Sequence, residues 1–192
     1  PRIPTPGIEK EFAQVIGRSN VKGMTDRQSL HAALSLRENR YLARRLCWVF
    51  SVEHVETYIL VPQDPSDIDL LLESLRPDPK PTDLDVVIGV RGPVAPPSAC
   101  NGLELPLVAL RQLYSFDRQA LIDSIPHEKN SKGFAASAEE VLDRILQVAG
   151  NAGATDEHRA LNYLAMRYPA IYSRVFEAHA ANSSLSGVSV RP

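Results

Sequence analysis

Cysteine is scarce in this sequence: Cys47 and Cys100 are the only two among 192 residues. Two cysteines cannot build the framework of a disulfide-rich secreted scaffold, and with five scattered histidines they offer no CxxC or HxxxH spacing that announces zinc. Both read as buried thiols. Long apolar runs are also lacking. Nothing approaches the roughly 18 residues that span a bilayer, and "PRIPTPGIEKEF" has no signal-peptide core, so a cytoplasmic location and no membrane partner are expected. Charge of one sign is missing too. Lysine and arginine total 21 against 23 acids, a net −2, which gives no electrostatic reason to expect nucleic acid as a partner. Neither a glycine-rich phosphate loop nor a nucleophile signature appears. No catalytic residue, metal or cofactor is therefore assigned.

What is present is an apolar fraction of 44%, ordinary for one soluble domain, and a change of period along the chain. Residues 1–7, with three prolines and a glycine, read as a flexible arm. An α+β core is expected over 8–126. Ile8, Phe12, Val15 and Ile16 fall at helical spacing up to Gly17. Thr25 or Asp26 can cap a second helix through Leu34, and "RENRYLARRL" continues it or forms a further short one.

Strand alternation follows. Trp48, Phe50 and Val52 share one face; Val55, Thr57, Ile59 and Val61 alternate with Glu56, Tyr58 and Leu60. These two strands read as an antiparallel hairpin joined near Glu53 and His54, without the Asn-Gly signal of a two-residue turn. Asp64, Pro65 and Asp67 open a helix that Pro77 closes. "LDVVIGV" reads as a strand and "LPLVALRQLYSF" as another strand or two, with helix possible. Asp117 caps "RQALIDSI". A polar loop is expected at 127–136, and 137–192 reads as a helical C-terminal part of the same domain. There Ser137 and Glu140 look like a capping box, Gly150 a stop, and Thr155 or Asp156 the next start. The fold class is α+β, an antiparallel or mixed sheet with packed helices.

Between the strands lies "VRGPVAPPSACNGLELP". Proline fixes its own φ and stiffens the residue before it, while Gly92 and Asn101-Gly102 permit turns. This is a rigid loop rather than a linker, with Arg91 and Asn101 as its fixed polar side chains.

Three strings carry a resemblance: "LCWVFSVEHVETYILVPQDPSDIDLLLESLRP", "TDLDVVIGVRGPVAPPSACNGLELPLVALRQLYSFDR" and "ALNYLAMRYPAIYSRVFEA". From about Glu9 onward the chain closely resembles the C-terminal domain of PatA/PatG-type cyanobactin maturation proteases. No protease domain accompanies it, and it stops at "GVSVRP", where the family is expected to continue into more β structure. The resemblance implies a dimeric peptide-binding module, like the stand-alone relatives of other ribosomal-peptide pathways such as that of crocagin. The expected function is non-catalytic capture of a precursor peptide through its leader, with presentation to modifying enzymes. An extended peptide can join a sheet edge, at the hairpin 46–62 or the strand 84–91. Trp48 and Tyr58 are candidate anchors, Arg91 a carboxylate clamp and Asn101 a backbone partner.

The alternatives are a peptide-modifying enzyme, either a cysteine-dependent hydrolase or transferase using Cys100 with His127 or a metal-assisted cyclase, a zinc site drawn from His31, Cys47, His54 and Cys100, or a structural dimer that scaffolds pathway enzymes. The scaffold would use Leu161, Leu164, Tyr168, Tyr172 and Phe176 as its twofold surface.

Overall fold

The computed structural model describes residues 1–18, 21–127, 132–147 and 151–190. Residues 128–131 of the expected loop, and the helix stop expected at Gly150, lie outside them. The chain divides into two compact units, Pro1–Ser115 and Phe116–Pro192, so the helix after Asp117 groups with the later helices rather than with the α+β core.

The elements up to the end of the sheet are α1 (Pro6–Arg18), α2 (Asp26–Ser35), α3 (Arg40–Arg45), β1 (Trp48–Val52), β2 (Val55–Val61), α4 (Pro65–Ser74), β3 (Asp83–Val94) and β4 (Pro106–Asp117), all in the first unit apart from the last two residues of β4. Local chemistry accounts for the helix starts. Thr25 Oγ1 accepts the amide of Gln28 at 3.2 Å while Gln28 Oε1 accepts that of Thr25 at 2.9 Å, a reciprocal cap. The Asp67 carboxylate accepts the amides of Gln63 and Asp64 at 2.6 and 3.0 Å, which satisfies donors that open α4.

The sheet order is β1-β2-β4-β3. β1 and β2 are antiparallel, whereas β2 and β4 are parallel. Ser115 bonds Asp85 at one end of the β3–β4 pair and Ala95 bonds Leu105 at the other, so these two strands run in opposite directions. The sheet is therefore mixed, and "LPLVALRQLYSF" is one long strand.

Register explains which residues meet. Trp48, Leu60 and Val108 align in one row, Val49, Ile59 and Leu107 in the next. Because adjacent positions on a strand face opposite ways, the first row points to the main core and the second to the other face. The main core joins Trp48, Leu60, Val108 and Leu110 to Ile8, Leu34, Leu42, Ile68, Leu71 and Leu72 of the four helices. Leu34 and Leu42 are completely buried; each such side chain contributes about 1.5–3 kcal/mol by leaving water.

Two local expectations are corrected. Val52 pairs with Val55, so the hairpin does turn in two residues, Glu53 and His54, with φ of 49° and 67°. The right-handed twist of the flanking strands selects this left-handed pair even without Asn-Gly. The N-terminal arm is also engaged. Arg2 and Cys47 exchange backbone hydrogen bonds of 2.7 and 2.9 Å, and the Arg2 guanidinium holds Glu56 through two bonds. Helix α1 begins at Pro6 rather than Ile8.

The second unit holds α5 (Arg118–Ser124), α6 (Phe134–Leu146), α7 (Asp156–Arg167) and α8 (Ala170–Ala180). Asp117 and Thr155 cap α5 and α7 as expected. The core comprises Phe134, Val141, Leu142, Ile145, Leu161 and Tyr172. Leu161 and Tyr172, which the scaffold alternative would place on a dimer surface, are used within the chain, and Phe176 packs edge-on against Phe134 at 5.4 Å; Tyr168 remains exposed.

The Tyr172 hydroxyl donates to Ala165 O at 2.9 Å, and burial pushes its pKa up to about 12. In an unfolded chain this phenol titrates near 10. Stability held by the neutral phenol is therefore intact below about pH 10 and drains as pH rises toward the folded value, a loss of about 2–3 kcal/mol. Chemical denaturation between pH 9 and 12 checks this: Tyr172→Phe should flatten that part of the alkaline loss.

Candidate functional site

Beyond Val90 the expected loop is at first still strand, since β3 runs on to Val94. The chain then folds back over the second face of the sheet. Ala95 is buried and donates to Leu105 O at 2.9 Å; the amides of Ala99, Gly102 and Leu103 close successive turns onto Pro96, Ala99 and Cys100. Cys100, Asn101 and Gly102 all take left-handed φ, at 45°, 57° and 82°.

The brace of this loop is a disulfide. Cys47 and Cys100 are bonded, with Cα atoms 5.6 Å apart and a sequence separation of 53. The expectation of buried thiols is thus corrected. Cys47 precedes β1 on the second-face side, and β3 and β4 deliver Cys100 above it, a proximity created by the sheet rather than by sequence spacing. Around the bond lie Ile59 and Ala95, with Leu103, Leu105 and Leu107 packed against them. Bonded to each other, the sulfurs supply neither a nucleophile for the cysteine-enzyme reading nor thiolates for the zinc reading.

The four proposed peptide contacts separate. Trp48 is only 5% exposed, lies in the main core and donates Nε1–H to Ala43 O at 2.9 Å. With ring and N–H both satisfied internally, it offers nothing to a ligand and leaves the site. Tyr58 is half-buried and packs on the same core opposite Phe50, so it too serves the framework. Arg91 and Asn101 are exposed. Neither side chain makes a hydrogen bond or ion pair among the described residues, so the internal ion pair that would give Arg91 a structural role does not form.

The two sheet edges also differ. At β1 the arm already occupies the start of the edge through Arg2 and Cys47. Among the described residues β3 has β4 as its only strand neighbour, and residues Gly89–Val94 are exposed along their length. Val90 and Val94 are 57% and 55% exposed; Arg91, between them in sequence, alternates to the opposite face. An open edge of this kind carries unpaired backbone donors and acceptors that another chain can join. Sequence patterning could not reveal this, because strand order decides which edge is free.

The fold and this edge define a mixed α+β module whose sheet has the N-terminal arm bridged at the start of one border and an exposed strand at the other, with a cross-braced loop beside the exposed one. The PatG domain family model matches residues 1–191, and the chain belongs to that family. A solved structure described as "PatG Domain of Unknown Function" is similar at a TM-score of 0.54 and 19% identity, covering 81% of this chain and 64% of that one. This likeness concerns the fold, and the chain spans less than two thirds of that structure's length. No curated protein matches. Among the described residues no helix is long and apolar enough to cross a membrane.

Proposed function

We propose that this chain is a precursor-peptide-binding module in the maturation of a ribosomally synthesised, post-translationally modified peptide of the cyanobactin type. The supporting observation is the exposed outer edge of β3, Gly89–Val94, with Arg91 upon it lacking a partner among the described residues. A bound leader would add a strand there: backbone hydrogen bonds provide affinity, and alternate side chains provide selectivity. The planar guanidinium of Arg91 suits an acidic side chain or terminal carboxylate, which it can grip through two bonds. Asn101 would meet the peptide backbone beyond the strand end. Presentation of the core to modifying enzymes, and pairing of two copies, complete the proposal.

Calorimetric titration with separate leader and core peptides tests it. The leader should bind, and Arg91→Ala should weaken binding at least several-fold with an unchanged melting temperature. Arg91→Lys should recover only part, because an ammonium cannot reproduce the paired geometry. Failure of every precursor fragment to bind removes the proposal, and unchanged affinity in Arg91→Ala removes this site.

A further inference from the structure

Ser137 and Glu140 read as a helix cap in the sequence, but the fold uses them otherwise. Gly133, at φ 87°, starts α6 at Phe134 and buries that ring to 2% exposure, so both residues fall inside the helix. Each now contacts His179 of α8. Ser137 Oγ lies 3.2 Å from His179 Nδ1, and Glu140 Oε2 lies 3.5 Å from His179 Nε2. Together they line an open cleft of about 380 Å³ with Lys132, Ala136, Phe176 and Ala180, Ser137 itself being 5% exposed.

The tautomer is consistent along this row. A carboxylate only accepts, so Glu140 favours the proton on Nε2; Nδ1 is then bare and accepts the Ser137 hydroxyl. Hydroxyl, base and orienting carboxylate thus stand in the order that activates a serine. The 3.5 Å contact is electrostatic rather than a formed hydrogen bond, and such contacts are commonly loose before substrate arrives. Gly133 gives α6 no side-chain cap, and no acid lies in its first turn.

We propose that Ser137, His179 and Glu140 form a serine-nucleophile site in the second unit that cleaves short acyl esters. Ser137 Oγ bonds the carbonyl carbon as its proton passes to His179 Nδ1. The ester C–O bond breaks, and the departing alkoxide takes that proton and leaves as the alcohol. Water then attacks the acyl-serine, giving its proton to Nδ1; the acid departs and the proton returns to Ser137. Phe176, Ala136 and Ala180 make an apolar wall for a short acyl chain. Esters rather than amides are assigned because, among the described residues, the cleft lining shows no dedicated donor pair for an oxyanion, so a good leaving group is called for. Glu140 is a positioning residue that fixes the imidazole.

The full chain, treated with a fluorophosphonate probe and digested, should carry the label on Ser137, and should hydrolyse p-nitrophenyl acetate above the buffer rate. Ser137→Ala should abolish labelling, and His179→Gln should lower kcat by about 100-fold, the usual size of a general-base contribution. Glu140→Gln should lower kcat with KM unchanged. Circular dichroism confirms that each variant is folded. Ser137→Cys provides a separate readout of access: with Cys47 and Cys100 bonded, iodoacetamide should modify the folded variant at position 137 alone. A folded wild-type protein that is neither labelled nor active, a label elsewhere, a rate that survives Ser137→Ala, or a position 137 closed to iodoacetamide overturns the site and leaves a helix-to-helix polar contact.

Discussion

Replacing both Cys47 and Cys100 by alanine should lower the stability of the first unit by about 4 kcal/mol, the chain-entropy value for a closure of this length. The bond closes a loop spanning 53 positions that contains the hairpin, α4 and all of β3. Without it the unfolded chain regains that freedom, while the folded loop over the second face keeps only the small cluster around Ile59 and Ala95. At about 2–4 °C per kcal/mol for a chain of this size, the melting temperature should fall by about 10 °C. Adding reductant to the wild-type protein should reproduce most of the fall. Identical melting with and without reductant, or two alkylatable thiols in denatured but unreduced protein, contradicts the pairing. Thiols are kept reduced in most cytosols, so the same alkylation on protein recovered from its own cells also tests the cytoplasmic expectation.

Gly89→Ala should be the most damaging single substitution on the open edge, costing about 2–3 kcal/mol as an overpacked position. A Cβ at Gly89 would stand 2.4 Å from Val108 Cγ1 and 2.6 Å from Ala109 O. A valine methyl can rotate away, but the carbonyl belongs to β4, so β3 and β4 must separate to admit the methyl group. Gly92 makes the contrast within the same strand: a Cβ there meets Leu107 only at 3.7 and 3.8 Å, ordinary contact. Urea denaturation should show Gly92→Ala near wild type and Gly89→Ala shifted to a lower midpoint. Peptide binding should fall with the latter, since the proposed docking edge moves with β3. Equal stability of the two variants would mean that β3 does not lie as close to β4 as described.

Much of the local structure follows from residue order alone. Thr25, Asp117 and Thr155 cap helices because a short side-chain oxygen before an apolar-periodic segment satisfies amides that the helix leaves open. The alternation around Trp48 and Ile59 fixes strands because neighbouring side chains leave a strand in opposite directions. Such signals act over a few residues. The Ser137–Glu140 pair shows their limit: the spacing of a capping box is present, yet burial of Phe134 moved the helix start upstream and gave both side chains to a histidine some forty residues away.

The sequence by itself determined the composition, the alternation of periods, most helix starts and the stiffness of the segment from Val90 to Pro106. Tertiary structure alone decided that Cys47 meets Cys100, that Trp48 is core, that the arm bridges the chain just before β1 while β3 lies at the other edge of the sheet, and that three polar side chains share one cleft. The physical reason is range. Backbone preference and capping are settled by neighbours in the chain, whereas strand order and face assignment bring together residues whose separation in sequence carries no information about their separation in space.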